Sequence, residues 1–285
     1  MGKTENSTER DNIKWHPAFV EALQAELIQY KDVLSFESEH NLTSAPLRID
    51  VLIIKKEKDI EIKKKIATSF KAHNIIEYKS PDDYLSINDF YKVYAYLYLY
   101  KSFENVDITD LTLTFSLICY PREVFKHLQD ILKLTIIKKH NGIYYVEGDI
   151  VPIQFIINTE LDDDENIFLN SLTKNLTVDK SNLLLNKMKQ TKNETNISAF
   201  IDAIMRGNKT IFTEAIKMTD REFFEGVRDT ELAHFYENEG MEKGMEKGME
   251  KGIEKGMEKG MEKVLELLDD KQKEEIRKKL FQDID

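Results

Sequence analysis

Two short apolar runs, at 47–56 and 73–81, constrain the fold of this chain more than any other part of the sequence, and charged side chains interrupt both. Runs rich in Ile and Val that are bounded by charged or turn residues are typical of buried strands. Asp50 interrupts the first run, and Glu77 and Lys79 interrupt the second. Because side chains alternate between the two faces of a strand, Glu77 and Lys79 are predicted to project together. If the two strands are neighbours, Asp50 can converge with them on one spot.

Two carboxylates and an ammonium at one spot have a chemical use. Carboxylates about one strand spacing apart repel each other and need a cation between them. Oxygen ligands of this kind suit Mg²⁺, whose shell is completed by water and substrate phosphate. The ion can acidify a bound water and offset charge on a phosphate, and Lys79 beside it can orient that water or stabilise developing negative charge. The pattern of Asp50, then Glu77 and Lys79 on the next strand, therefore predicts phosphodiester hydrolysis with Mg²⁺ or Mn²⁺ as cofactor.

The same residues carry a resemblance. Asp50 with Glu77-Tyr78-Lys79 resembles the PD-(D/E)xK nuclease signature. The surrounding segments resemble the recombination-promoting nuclease branch of that group, a branch of transposase-like proteins. These segments are W-H-P-A-F at 15–19, R-I-D-V-L-I-I-K-K at 48–56 and H-N-I-I-E-Y-K-S-P-D-D-Y-L-S-I at 73–87.

The resemblance implies an α/β fold with a restriction-endonuclease-like mixed sheet flanked by helices. It also implies a metal-dependent DNA endonuclease in which Asp50 and Glu77 hold the ion, the Tyr78 carbonyl helps, and Lys79 assists the attacking water. The alternative is a catalytically inactive nuclease-fold protein that serves as a nucleic-acid- or protein-binding module. The formal net charge of −11 mildly favours that alternative, since DNA attracts basic surfaces.

A fourth acid belongs to the first predicted helix, at 17–34, where apolar residues recur at helical spacing. Glu26 falls on the margin of the apolar face, whereas Glu21 points almost opposite. Nucleases of the resembled fold often supply an additional acid from this helix, so Glu26 is a candidate metal ligand. The alternative for Glu26 is an ordinary carboxylate at the rim of the core.

Periodicity and turn residues predict the other elements and three regions. We expect a nuclease-like domain at 13–158, a helical region at 159–238, and a repeat with a terminal amphipathic helix at 239–285. Ser86-x-x-Asp89 resembles a helix-starting box. The further predicted strands are 33–42, 111–120, a hairpin turning at Gly142, and 151–157; the further predicted helices are 59–72, 91–100, 122–134, 165–190, 194–206, 210–217 and 220–238.

Two sets of side chains permit two interpretations each. Six tyrosines between Tyr84 and Tyr100 could stack on bases, or could be core residues with hydroxyls at the surface. A lysine cluster could be a local basic footprint for DNA or a solvated face. The members of that cluster are Lys55, Lys56, Lys58, Lys63, Lys64 and Lys65.

Composition excludes several classes. No run approaches the roughly 20 apolar residues of a membrane helix, and the polar N-terminus is not a secretory signal. The single Cys119 excludes an intrachain disulfide, is compatible with a reducing cytoplasm, and lies in an apolar run that predicts burial. We therefore expect a cytoplasmic protein without a membrane partner, and the resemblance implies DNA as its partner.

The C-terminal tail repeats G-M-E-K over 240–263. A period of four exceeds the helical period of 3.6, so the methionines wind around a helix instead of forming one stripe. Each glycine costs roughly 1 kcal/mol relative to alanine in a helix. The segment is predicted to be a marginal helix or a flexible tether. Its adaptable methionines could engage a partner or self-associate into a homo-oligomer.

Overall fold

The computed structural model of the protein describes residues 13–37, 51–57, 60–191 and 194–212, with short helical pieces at 245, 248–249, 251–253 and 255–256. Contacts between residues divide the chain into two compact units, Met1–Glu225 and Gly226–Asp285. The strands are β1 (Leu34–Glu37), β2 (Leu52–Lys56), β3 (His73–Tyr78), β4 (Leu111–Leu117), β5 (Thr135–His140), β6 (Ile143–Glu147) and β7 (Ile153–Ile157). The helices are α1 (Trp15–Glu26), α2 (Ile87–Glu104), α3 (Arg122–Asp130), α4 (Asp163–Asn170), α5 (Val178–Thr191) and α6 (Ser198–Gly207).

The seven strands form one mixed sheet in the order β1-β2-β3-β4-β7-β6-β5. The three central strands, β3, β4 and β7, are parallel to one another, and both outer pairs run antiparallel. Parallel neighbours need a crossover connection, and α2 supplies it between β3 and β4. The predicted class, a mixed α/β sheet flanked by helices, is confirmed; its restriction-endonuclease-like identity stays a prediction.

Helices cover both faces of the sheet. One face packs against α2 and α3, through a core that includes Ile75, Phe90 and Phe125. The other face packs against α1, whose Phe19 stacks on Tyr78 of β3 with ring centroids 4.3 Å apart. Helix α1 also packs on α4 and α6. The predicted domain boundaries at 158 and 238 stay predictions.

Helix α2 begins with the predicted helix-starting box. Ser86 accepts a hydrogen bond from the Asp89 backbone N–H, and the Asp89 carboxylate accepts one from the Ser86 N–H, each at 3.0 Å. The helix ends at Asn105, which takes the left-handed conformation with φ 52°, as a helix C-terminus commonly requires. The predicted helix at 91–100 is therefore part of a longer one.

The structure corrects three predicted helices. The prediction of a helix at 59–72 is wrong for the described residues 60–72, because the only helical turn there is a 3₁₀ turn at Lys65–Ala67. The first helix ends at Glu26 instead of residue 34 and is followed by a 3₁₀ turn at Ile28–Tyr30. The helix expected at 165–190 is two helices, α4 and α5, separated by 171–177.

The sheet edge at β5 is irregular. Its pairing with β6 shifts register between Lys138 and His140, and the last three residues of the strand are exposed.

In the C-terminal tail, the described residues are helical, and Met245, Met249 and Ile253 are largely exposed. Self-association through the tail stays a prediction. The predicted helix at 220–238 and most of the repeat lie outside the described residues.

Candidate functional site

The candidate site lies at the C-terminal end of β3, beside the start of β2. The two strands run antiparallel, with Leu52 opposite Ile76, so the beginning of β2 meets the end of β3. The two apolar runs are therefore neighbouring strands, a point that the sequence left open. The end of β3 also lies beside parallel β4, where Tyr78 is opposite Ser116.

Glu77 and Lys79 project from the same face, as strand alternation predicts. The Lys79 Nζ is 3.5 Å from Glu77 Oε1, and their side chains are only 11% and 12% exposed respectively. This face is the one that α2 covers, because Lys92 and Asp89 of α2 act on the Glu77 carboxyl. A buried carboxylate and a buried ammonium therefore share one location.

Burial dominates the electrostatics of Glu77. Loss of water raises the pKa of the Glu77 carboxyl from its usual 4.5 to about 7, against the opposing effects of Lys79 and Lys92. The group is therefore about half ionised near neutral pH. A carboxyl with such a pKa is typical of functional sites, since the cost of its ionisation can be offset by a cation.

Three carboxylates surround the ammonium of Lys79. Besides Glu77, Asp83 Oδ2 is 3.3 Å away and Asp89 Oδ1 is 3.4 Å away. Burial lowers the pKa of Lys79, but the three carboxylates outweigh burial and the net pKa is raised. Lys79 therefore keeps its charge across the physiological range.

Asp83 and Asp89 were not among the site residues that the sequence predicts. Asp83 lies four residues after Lys79, but in a turn, where that spacing alone predicts no contact. Asp89 carried a signal, the helix-starting box, which predicts a cap and not an ion pair across to β3.

Asp50, the remaining predicted catalytic residue, lies outside the described residues. What the structure describes next to it is Val51, which joins Ile53 and Ile75 in the core beneath α2. Leu52 is opposite Ile76 on the other face. The predicted meeting of Asp50 with Glu77 stays a prediction.

Tyr78 points away from Glu77, as alternation predicts. Its ring stacks on Phe19, and His16 packs against its edge with centroids 5.5 Å apart. The side chain is buried, and its pKa is raised by loss of water. The Tyr78 side chain thus anchors α1, and the predicted role of its carbonyl as a metal ligand stays a prediction.

Glu26 is engaged on the α1 side of the sheet. Its Oε1 accepts a hydrogen bond from the Phe168 backbone N–H at 2.8 Å, and its Oε2 accepts one from Lys64 Nζ at 2.7 Å. Burial raises the pKa of this carboxyl, partly offset by Lys64. The structure places Glu26 with α4 and Lys64 and does not bring it together with Glu77.

The lysine cluster is largely paired. Lys55 lies 2.5 Å from Glu37, Lys64 pairs with Glu26, and Lys65 lies 2.6 Å from Glu165. These three ammonium groups are neutralised locally, which favours the interpretation of a structural or solvated face over a free basic footprint. Lys58 lies outside the described residues.

Of the tyrosines between Tyr84 and Tyr100, Tyr100 is buried with its hydroxyl 2.8 Å from His73 Nδ1, whereas Tyr84 is 75% exposed.

Cys119 is exposed, which corrects the predicted burial. The reason is that β4 ends at Leu117, two residues before it.

Within the part of the chain that the structure describes, no group of three or more His, Cys, Asp or Glu side chains could hold a metal ion. Asp50 lies outside that part of the chain. Of the predicted carboxylate ligands, Glu77 and Glu26 are described, and they lie with different partners. None of the described helices is long and apolar enough to cross a membrane.

No protein-family model, curated protein or solved structure matches the chain. The assignment of function therefore rests on the residues themselves.

Proposed function

We propose that this protein is a metal-dependent DNA endonuclease of the PD-(D/E)xK type, in which Asp50 and Glu77 hold Mg²⁺ or Mn²⁺. The observation that carries the proposal is the pairing of Glu77 with Lys79 on one buried face at the end of β3, next to the strand that Asp50 precedes. Carboxylates are hard oxygen donors and fit these ions. The ion, when bound, supplies an acidified water and charge stabilisation at the phosphate.

The chain's own groups have distinct roles in this proposal. Glu77, whose pKa of about 7 follows from burial, would hold the cation as the deprotonated carboxylate, because a ligand must lose its proton to bind. Lys79 keeps its proton and donates hydrogen bonds to the attacking water or to a phosphate oxygen, where negative charge develops.

Strand alternation sets a condition for an ion shared by Asp50 and Glu77. Val51 and Ile53 belong to the core on Glu77's side, whereas Leu52 lies opposite Ile76. A regular strand continued back from Leu52 would assign position 50 to the Ile76 face. The shared ion therefore requires a departure from regular alternation between positions 50 and 51, such as a strand end or a bulge.

The test is cleavage of supercoiled plasmid by the purified full-length protein with Mg²⁺, with Mn²⁺ and with a chelator. We expect metal-dependent nicking that falls at least about 100-fold in Asp50→Asn, Glu77→Gln and Lys79→Ala, since each removes a group that acts in the reaction. Glu123→Gln is the matched control, because Glu123 is an exposed carboxylate on α3. Cleavage at the parent rate in the three variants would mean that the activity comes from elsewhere.

The alternative, a nucleic-acid-binding module without cleavage, is favoured by one observation. The ammonium of Lys79 already has three carboxylate neighbours within 3.5 Å, an arrangement that also suits a purely structural lysine. In that case the protein would retard a labelled duplex in a gel without cutting it in either metal.

A further inference from the structure

The first turn of α2 reaches the candidate site through one carboxylate. Asp89 Oδ2 accepts hydrogen bonds from the Ser86 backbone N–H at 3.0 Å and from the Ser86 hydroxyl at 2.6 Å. The other oxygen, Oδ1, faces Lys79 Nζ at 3.4 Å. The two oxygens of Asp89 therefore have separate partners, one in the helix cap and one on β3.

The other carboxylates near Lys79 are held differently. Asp83 is exposed, with 54% of its side chain accessible, and its Oδ1 accepts a hydrogen bond from the Tyr84 backbone N–H at 2.8 Å, so it belongs to the exposed loop between β3 and α2. Glu77 belongs to β3 itself, only two residues before Lys79. Asp89 is fixed by the cap and approaches from another element of the fold.

The distances from Lys79 Nζ to its three carboxylate neighbours indicate that the ammonium makes no short hydrogen bond to any of them. Charge-assisted hydrogen bonds between nitrogen and oxygen are typically about 2.7–2.9 Å long. All three contacts of Lys79 Nζ are longer, at 3.3–3.5 Å. The ammonium therefore lies among the carboxylates without a short hydrogen bond to any one of them. It can still turn toward a water or a phosphate.

We propose that Asp89 is a positioning residue, which sets where the ammonium of Lys79 lies relative to Glu77 and so couples the start of α2 to the candidate site. Only its effect on cleavage rests on the proposed nuclease function. The placement of Lys79 can be measured without any activity.

Three variants separate positioning from capping. Asp89→Asn keeps an oxygen that can accept the Ser86 hydrogen bonds but removes the charge that faces Lys79. Ser86→Ala removes the hydroxyl of the cap and leaves the Asp89 carboxylate opposite Lys79. Asp89→Glu keeps the charge and is the residue that this type of cap prefers at that position.

The first readout is the rate of acetylation of Lys79 by an activated ester in the full-length protein, quantified by peptide mass spectrometry. Lys126, exposed on α3 and away from the site, is the internal reference. We expect Asp89→Asn to raise the Lys79 rate about two- to five-fold, the factor that corresponds to loss of an ion pair between partly exposed groups. Ser86→Ala keeps the Ser86 N–H on Asp89 Oδ2, so it should change the Lys79 rate much less than Asp89→Asn while lowering the unfolding midpoint. Asp89→Glu should show the parent rate.

The second readout is plasmid cleavage. Asp89→Asn is expected to lower kcat about ten-fold with KM for DNA unchanged, since misplacing a reacting group affects the chemical step. Equal effects of Asp89→Asn and Ser86→Ala on Lys79 acetylation, or no effect of Asp89→Asn, would overturn the proposal. If the acetylation pattern holds but the parent protein cuts no DNA, the nuclease function fails and the positioning of Lys79 by Asp89 stands.

Discussion

Replacement of Glu77 by Gln is expected to change how stability depends on pH. Gln has nearly the same shape as Glu but does not ionise. In the folded parent protein the Glu77 carboxyl has a pKa of about 7, raised by burial from 4.5. The folded state therefore binds more protons than the unfolded state between these two values. Stability is greatest below the unfolded pKa and falls as the pH rises through the folded one.

The size of the effect follows from the two pKa values. A shift of about 2.5 pKa units corresponds to about 3 kcal/mol at full ionisation, at 1.36 kcal/mol per unit. Most of this difference develops between about pH 5 and about pH 8, because ionisation of the unfolded chain is nearly complete before that of the folded chain begins. In that interval the parent should lose about 2–3 kcal/mol relative to Glu77→Gln.

Urea denaturation of the metal-free proteins at a series of pH values measures this difference directly. Other groups titrate in both proteins, so the quantity to follow is the free energy of unfolding of the variant minus that of the parent. Glu123→Gln is the control, since Glu123 is exposed. Curves for the parent and Glu77→Gln that stay parallel from about pH 5 to pH 8 would refute the argument that burial raises the pKa of Glu77.

Three further predictions concern the metal, Glu26 and a glycine. At about pH 8, Mg²⁺ at 100 times its Kd should stabilise the parent by about 2.7 kcal/mol but not Glu77→Gln; equal thermal shifts would exclude Glu77 as a ligand. Glu26→Gln should retain metal-dependent cleavage, because Glu26 lies with Lys64 and the Phe168 amide and not with Glu77; lost cleavage in the folded variant would restore Glu26 as a ligand. Gly142→Ala should lower the unfolding midpoint more than Gly148→Ala, since its φ is +68° and a Cβ would lie 2.7 Å from the Ile157 carbonyl oxygen; a smaller or equal loss would contradict that contact.

Local patterns predicted the elements that carry the site. Alternation along 73–79 predicted that Glu77 and Lys79 project together and that Tyr78 points away, and both are confirmed. These relations depend only on the pleat of one strand. The start of α2 was likewise predictable, because its cap uses side chains three residues apart.

The predicted helix at 59–72 shows where periodicity misleads. Ile62, Ile66 and Phe70 are all buried at a spacing of four, but the described segment has a single 3₁₀ turn at its centre. Each side chain reaches the core from an irregular backbone. Spacing alone cannot distinguish this arrangement from a helix, because it reports which side chains are buried and not the backbone hydrogen bonds.

The partners of Glu26 and Lys79 could not be predicted for a different reason. Glu26 meets backbone amides of α4 that are 142 residues away in the chain. Lys79 meets Asp89 only because the loop after β3 returns α2 over the same face. Such contacts depend on the tertiary arrangement, so the sequence could place both residues in elements but not name their partners.

The irregular β5 edge has a consequence for assembly. An outer strand offers free backbone groups on which another chain can add a strand, and lysines or bulges prevent this. Here Lys138, Lys139 and His140 end the strand, and the register shift interrupts its hydrogen-bonding row. A second copy docking here would have to bury the exposed ion pairs of Lys138 with Glu160 and of Lys139 with Glu147. Sheet-to-sheet growth through β5 is therefore disfavoured.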